Sequence, residues 1–170
     1  MSCGRPGGPH NSGKPPQPGG NPGSARNQRK VRLVSQKIFV NLAVKDLAKA
    51  RDFFSQLGYS FNPQFSDENA ACLVISDDIF AMLLTEPFFK SFTKKEIADA
   101  RTSTEAMIAL SAESRAQVDD LADKALAAGG SPAGDPQDHG FMYGRSFYDL
   151  DGHHWEVVWM DPSAVEQQPA

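Results

Sequence analysis

The chain has 170 residues, of which 40% are hydrophobic, and this is enough apolar material for one ordinary core and argues against a second independent domain. It has no run of about twenty apolar residues, so we expect no membrane span, no secretory signal and a cytoplasmic location. The two cysteines, Cys3 and Cys72, indicate neither a disulfide framework nor a thiolate metal site.

The first thirty residues differ in composition from the rest of the chain. They contain seven Gly, six Pro and five basic residues but no acidic residue, which predicts a disordered basic tail over residues 1–30. We interpret it as a dispensable extension, with contact to a membrane or to nucleic acid as the less favoured alternative. The remaining 140 residues carry twelve basic and twenty-one acidic side chains, which argues against nucleic acid as the main partner.

Folded sequence is predicted over residues 31–161, and its first element is a half-buried strand in KIFVNLAV. The alternation there places one set of apolar residues on a single face: Ile38, Val40, Leu42 and Val44. Asp46 is a suitable helix cap and Gly58 a suitable helix stop, so a helix of about three turns follows. Three extended runs, YSFNPQF, AACLVIS and IFAMLLT, then predict three strands.

The same order of elements returns in the second half of the chain. EAMIALS alternates like the first strand, Ser114 and Gln117 form a capping-box pattern, and the helix should end at Gly129. SPAGDPQ, FMYGRSFYD and HHWEVVWM predict three further strands, with a hairpin turn at Asp151-Gly152 between the last two. Module 1 then covers about residues 36–87, a linker 88–103, module 2 about 104–161 and a C-terminal tail 162–170.

The chain is therefore predicted to be an α+β protein made of two copies of one β-α-β-β-β unit. Aligning Phe39 with Glu105 puts the copies sixty-six residues apart. Such duplication usually means that both halves build one shared site.

Two segments carry a resemblance to a known family. FVNLAVKDLAKARDFFSQLGY resembles the opening signature of the vicinal oxygen chelate superfamily, which includes glyoxalases, bleomycin-resistance proteins and extradiol dioxygenases, and GRSFYDLDGHHWEVV resembles its closing signature. The resemblance covers about residues 36–161. It implies two β-α-β-β-β modules that form a cupped mixed sheet, a small-molecule substrate or ligand, and a homodimer.

The resemblance also implies positions for a divalent metal ion, on the first and fourth strands of each module. In this chain those positions fall on Glu156 and Glu105 in module 2, and on Phe39 and approximately Leu83 in module 1. Two carboxylates, with Asn41 nearby, would suit Mg²⁺ or Mn²⁺, and Ni²⁺ is a further candidate. The two apolar residues at the other positions oppose a metal site.

Electrostatics gives a separate reason to consider the two carboxylates together. At a separation of about 4 Å in an apolar cup, Glu105 and Glu156 would repel each other by on the order of 4 kcal/mol at an effective dielectric constant near 20. A cation, a shared proton or Arg145 would have to relieve this repulsion. The alternative is that the two side chains point apart or reach solvent.

Other candidate pocket residues lie on the last two predicted strands. His153 and His154 face opposite sides of a strand, and His154 shares the side of Glu156, whereas His153 lies beside the turn, where histidines commonly bond backbone or water. Tyr143 and Arg145 are able to bind an anionic or carbonyl-bearing molecule. An apolar lining is expected from Phe39, Met82, Leu83 and Met107.

Two classes of function follow from the resemblance. In the first, the protein is a metal-assisted lyase or isomerase of the lactoylglutathione-lyase type, in which the ion polarises vicinal oxygens of a small carbonyl compound and Glu105 or Glu156 moves a proton. In the second, the cup is metal-free and sequesters a small apolar or aromatic molecule, as bleomycin-resistance proteins do. Extradiol oxygen chemistry is least expected, because it needs two histidines and one carboxylate around ferrous iron.

Overall fold

The computed structural model describes residues 36–165, so the predicted basic tail lies outside the described residues. The first half forms a four-stranded sheet and the second half a five-stranded sheet, each with one long helix. The α+β fold with two β-α-β-β-β modules is therefore confirmed. Among residues 36–165, no helix has the length and apolar character needed to cross a membrane.

The first module follows the predicted order of elements. Its members are β1 (Ile38–Val44), α1 (Leu47–Gln56), β2 (Ser60–Asn62), β3 (Ala70–Val74) and β4 (Ile79–Thr85), and a short helix, α2 (Glu86–Lys90), comes after them. The strands lie in the order β1-β4-β3-β2, and β1 runs parallel to β4.

The second module repeats this arrangement after the linker. Its members are β5 (Met107–Ser111), α3 (Arg115–Ala127), β6 (Ser131–Pro132), β7 (Gln137–Asp138), β8 (Met142–Tyr148), β9 (His154–Met160) and a terminal turn, α4 (Pro162–Val165). The strands lie in the order β5-β9-β8-β6, with β7 also paired to β8, and β5 runs parallel to β9.

Both long helices begin at the residues that the sequence indicates. The Asp46 side chain accepts a hydrogen bond from the Lys49 N–H at 3.0 Å, and the Ser114 side chain accepts one from the Gln117 N–H at 3.2 Å. Each bond satisfies a backbone donor that the first turn of a helix leaves free. Gly58, with φ of +96°, follows the end of α1.

Two of the predicted strands are shorter than expected because proline interrupts them. The run YSFNPQF is extended only as far as Asn62, since Pro63 lacks an N–H and begins a 3₁₀ turn over Pro63–Phe65. The run SPAGDPQ gives the two-residue strands β6 and β7 instead of one strand.

One apolar core joins the two modules. The Phe54 ring of α1 lies 5.1 Å from the Trp155 ring of β9, and the Phe53 ring lies 6.3 Å from that of Phe147 on β8. Helices α1 and α3 contact each other as well as their own sheets. One face of each sheet therefore packs against the shared core, and the other face carries exposed side chains such as Phe39 and Met107.

The helix caps show that the repeat offset is sixty-eight residues and not sixty-six. Asp46 and Ser114 occupy the same cap position, and Phe39 and Met107 each lie seven residues before their cap. The alignment of Phe39 with Glu105 is therefore wrong. Strand alternation has a period of two, so a two-residue error leaves every side chain on its expected face and goes unnoticed.

Candidate functional site

The uncovered face of the second sheet forms a cavity of about 600 Å³ around Glu156. In the strand register, Glu156 on β9 lies between Ala109 on β5 and Ser146 on β8. One level along the sheet, Val158 lies between Ser111 and Gly144. These neighbours are small, so the Glu156 carboxylate stands in an open depression of the sheet.

The remaining walls of this cavity combine methionines with polar groups. Met142 of β8 and Met160 of β9 are paired across the hairpin and lie at one end, and Asp135 and Gln137 approach from the β6–β7 segment. Asp135 and Gln137 are exposed, so they form the rim and not the floor. We call this cavity the cup, and its lining includes Ala109, Ser111, Met142, Ser146, Glu156 and Val158.

His154 lies next to Glu156, beneath the lining of the cup. Its Nε2 lies 3.9 Å from Glu156 Oε1, which is too long for a hydrogen bond. This nitrogen is buried and has no hydrogen-bond partner within residues 36–165. The His154 ring contacts the Tyr148 ring edge-on at 5.2 Å, and its side chain is 14% exposed, compared with 33% for Glu156. His154 shares the face of Glu156, but it does not line the cup, so its assignment to the pocket is not supported.

Tyr143 and Arg145 do not point into the cup, although the sequence suggested them as ligand-binding groups. The Tyr143 hydroxyl donates to Asp119 Oδ1 at 2.8 Å, and this bond raises the pKa of Tyr143. Arg145 Nη1 lies 3.1 Å from Asp119 Oδ1 and 2.8 Å from Asp123 Oδ1. Arg145 borders the cavity, but its guanidinium is directed to helix α3. Alternation along β8 explains this placement, because Tyr143 and Arg145 lie on the face opposite to Ser146.

The sequence-based pairing of Glu105 with Glu156 is also wrong. Glu105 precedes β5, and its Oε1 lies 2.5 Å from His153 Nδ1. The other ring nitrogen of His153, Nε2, lies 2.9 Å from the Ala43 carbonyl oxygen at the end of β1. Glu105 therefore takes part in a contact between the modules and is absent from the lining of the cup.

The surroundings of His153 favour its positively charged form. Both of its ring nitrogens face oxygen atoms, a carbonyl and a carboxylate, and the charged imidazole can donate a hydrogen bond to each. Burial acts to lower the pKa of His153, but the charge of Asp149 and the hydrogen bonds to Glu105 and Ala43 outweigh it and raise this pKa. Burial in turn raises the pKa of Asp149, against the favourable charge of His153.

In the first module the predicted pocket residues divide between two faces of the sheet. Phe39 is 44% exposed and stacks on the Phe80 ring at 5.0 Å, and Asn41 lies on the same face. Leu83 is fully buried in the shared core, so its assignment to the pocket is wrong. Asn41 and Ala109 are equivalent positions of the two modules. Asn41 pairs with Met82 on β4, and Ala109 pairs with Glu156 on β9, so Met82 is the counterpart of Glu156.

Comparison with known proteins identifies the fold family. The model of the Glyoxalase/Bleomycin resistance protein/Dioxygenase superfamily matches residues 38–157. The chain belongs to this superfamily. No curated protein matches the chain. Among solved structures, the hypothetical protein SA1046 from S. aureus is 27% identical, with a TM-score of 0.64 and 73% of this chain and 93% of that chain covered.

Two further solved structures share the fold of this superfamily at lower identity. A glyoxalase/bleomycin resistance protein/dioxygenase family enzyme from Burkholderia phytofirmans PsJN is 14% identical, with a TM-score of 0.60 and coverage of 72% of this chain and 96% of that chain. The fosfomycin resistance protein FosX from Listeria monocytogenes is 19% identical, with a TM-score of 0.54 and coverage of 75% and 92%.

Members of the superfamily often use a divalent metal, but the residues of this chain do not fit one. By strand register and helix caps, the four ligand positions are Phe39, Met82, Met107 and Glu156. Of these four side chains, only the carboxylate of Glu156 suits Mg²⁺ or Mn²⁺. The two methionine thioethers and the phenyl ring of Phe39 are not ligands for such ions. His154 Nε2 lies 3.9 Å from Glu156 Oε1, but it is closed to solvent. Within residues 36–165 there is no group of three His, Cys, Asp or Glu side chains that could hold a metal ion.

Several cup residues were missed by the sequence analysis because they are small and chemically unremarkable. Ala109 carries no functional group and Ser111 and Ser146 carry only a hydroxyl, and the importance of all three comes from the space they leave around Glu156. The turn signal at Asp151-Gly152 does not identify Ser146, since a two-residue hairpin there would pair Ser146 with Val157, whereas the observed connection over residues 149–153 pairs it with Glu156. The register of β5 on β9 is a parallel, long-range pairing that the sequence does not encode locally.

Proposed function

We propose that this protein binds a small organic molecule in the cup without a metal ion, and that the molecule has an apolar body and a cationic or hydrogen-bond-donating head group. The head group would bind the Glu156 carboxylate, and the apolar body would lie against the methionines. This is the metal-free, bleomycin-resistance type of function within the superfamily.

The observation that carries the proposal is the Glu156 carboxylate, which forms no ion pair with a lysine or arginine among residues 36–165 and has His154 Nε2 at 3.9 Å. Asp135 on the rim adds a second acidic group, whereas Arg145, the basic residue that borders the cup in the described part of the chain, is bonded to two aspartates of α3. A carboxylate in a recessed site without a cationic partner attracts a positive or hydrogen-bond-donating group. An anionic ligand would be repelled by the same charges.

The shape and composition of the cup support an apolar body for the ligand. A volume of about 600 Å³ is within the usual range for pockets that bind small molecules. Met142 and Met160 supply flexible, polarisable walls that adapt to flat or irregular apolar groups. Ala109, Gly144 and Ser146 leave the floor open on either side of Glu156.

We also propose that the protein is a homodimer in which a second copy covers the open sheet faces. Phe39 and Met107, at the equivalent positions of the two modules, are 44% and 57% exposed, and Met160 is 51% exposed. Exposed apolar groups on bare sheet faces favour association, because covering them removes apolar surface from water. The face of one module placed over the face of the other would enclose the cup.

A lyase or isomerase of the glyoxalase type is the second candidate, and one observation favours it. Glu156 keeps the last metal-ligand position of the superfamily and faces the cavity, where a base or ligand would be needed. Elemental analysis of freshly purified protein, and of protein dialysed against Mn²⁺, Mg²⁺ or Ni²⁺, distinguishes the candidates. Our proposal expects no stoichiometric metal. Near-stoichiometric metal that disappears in the Glu156→Gln variant would establish the second candidate.

The direct test of binding compares three molecules of one shape and different charge. We expect 3-phenylpropylamine to bind more tightly than 3-phenylpropan-1-ol, and 3-phenylpropionate to bind least, in NMR titrations of the full chain. The amine should shift the amide signals of Ala109, Ser146 and Glu156. In Glu156→Gln its affinity should fall about ten-fold, which corresponds to 1.4 kcal/mol.

The matched control is Asp52→Asn, which removes an exposed carboxylate on α1 and should leave the affinity unchanged. Tighter binding of 3-phenylpropionate than of the amine would contradict the proposed ligand class. Amide shifts confined to residues outside the cup would contradict the proposed site.

A further inference from the structure

Next to the proposed anchor Glu156, the imidazole of His154 has an unsatisfied nitrogen. Its Nε2 is buried and has no hydrogen-bond partner among the described residues. A polar atom in this state costs free energy, so a native protein seldom leaves one without a partner or a function. The nearest charged oxygen is Glu156 Oε1, at 3.9 Å.

The surroundings hold the imidazole in place and leave the carboxylate free to move. The His154 ring packs edge-on against the Tyr148 ring, and its side chain is largely buried. Glu156 has three rotatable bonds, is one-third exposed and lies between the small residues Ala109 and Ser146. A hydrogen bond between the two side chains requires a rotation of Glu156 that shortens the separation of 3.9 Å to about 3 Å.

We infer that His154 is a positioning residue for Glu156: its Nε2–H donates to Oε1 and thereby directs the second oxygen, Oε2, into the cup. The inference rests on the proposed function, in which Glu156 is the ligand anchor. His154 itself does not touch the ligand, because its Nε2 is closed to solvent. Its effect is to hold the carboxylate in one orientation before the ligand arrives, which reduces the entropy lost on binding.

The test that needs no ligand is a nitrogen-detected NMR measurement of the His154 ring in the full chain. We expect Nε2 to carry a hydrogen, and its signal to move in Glu156→Ala but not in Ser146→Ala. Ser146 is the matched control, since it lies beside Glu156 in the strand register on β8. An Nε2 without hydrogen, or a signal that does not respond to Glu156→Ala, overturns the inference even if the cup binds its ligand.

A double-mutant cycle with 3-phenylpropylamine tests whether the effect acts through Glu156. His154→Phe should weaken binding about five-fold in the native background and less than about two-fold in the Glu156→Ala background. His154→Gln, whose amide N–H can replace Nε2–H, should restore most of the affinity, and His154→Asn should not. Equal losses in both backgrounds overturn the inference, because His154 would then act independently of Glu156. Failure of the amine to bind native protein contradicts the proposed function instead, and the NMR result still decides the role of His154.

Discussion

His153 and Glu105 form a hydrogen bond of 2.5 Å between Nδ1 and Oε1. The same imidazole reaches the Ala43 carbonyl oxygen of β1 through Nε2, at 2.9 Å. One side chain therefore joins the end of a module 1 strand to the segment that leads into module 2. Glu105 was predicted to be a metal ligand, but in the structure it belongs to a contact between the modules.

We predict that the free energy of unfolding decreases as the pH rises from slightly acidic to alkaline values. The pKa of His153 is raised in the folded protein, where Asp149 and Glu105 are its acidic neighbours. The contribution of this group is complete below the pKa of an unfolded histidine, about 6.5, and is lost as the pH rises through the folded pKa. The measurement that checks this prediction is urea unfolding in steps from pH 6 to pH 9.

The control for the pH dependence is His153→Gln, in which the side chain at position 153 does not titrate. Its unfolding free energy should change less over this pH interval, and at pH 6 it should lie about 2 kcal/mol below that of the native protein, because Glu105 and Asp149 lose their partner. A native protein that becomes more stable between pH 6 and pH 9 would refute the assignment of a charged His153.

A second prediction concerns the turn that precedes His153. Gly152 has φ of +98°, and a Cβ added there would lie 2.9 Å from the carbonyl carbon and oxygen of Ala100 and from the Arg101 nitrogen. The linker backbone packs against this turn too closely for any side chain. We expect Gly152→Ala to lower the free energy of unfolding by about 3 kcal/mol in urea denaturation.

Gly58→Ala separates the effect of backbone conformation from that of the contact. Gly58 has a similar φ of +96°, but a Cβ there would meet no atom within 4 Å. Its substitution should lower the free energy of unfolding by only about 1 kcal/mol, because alanine is strained in the left-handed backbone conformation. Equal losses in the two variants would show that the linker can move away from Gly152.

A third prediction distinguishes a structural Arg145 from a ligand-binding one. Its guanidinium bonds Asp119 and Asp123, and the side chain is 19% exposed. Arg145→Met keeps the apolar stem and removes the ion pairs, so we expect a loss of about 1 kcal/mol in unfolding free energy. The affinity for 3-phenylpropylamine should not change. Lys124→Met, which breaks an exposed pair with Asp120 on the same helix, is the control and should cost less.

If Arg145 instead turned into the cup, its removal would strengthen the binding of the amine, since one repulsive charge would be lost. A several-fold gain in affinity in Arg145→Met would therefore contradict the orientation of Arg145 toward α3.

The sequence was sufficient for the fold because the helix signals and the strand alternation agree in both halves. Asp46, Ser114 and Gly58 mark helix ends through local bonds, which a single chain segment encodes. The site was harder, since it depends on which residues lie level across strands that are far apart in sequence. Alternation gives the face of a residue but not its level, which is why Glu105 was taken for Met107. Taking Leu83 for Met82 was a one-residue error, which moved the predicted position to the core face of β4.

The last prediction concerns the partner of the open sheet faces. If a second copy covers them, a charge at Phe39 must enter an apolar interface, and a buried unpaired charge is costly. We expect Phe39→Asp to convert a dimer to a monomer in analytical ultracentrifugation at micromolar concentration. Phe92→Asp is the matched control, because Phe92 is 70% exposed and lies in the linker, outside both sheets. A dimer that persists in Phe39→Asp and dissociates in Phe92→Asp would place the interface at the linker and leave the cup open to solvent.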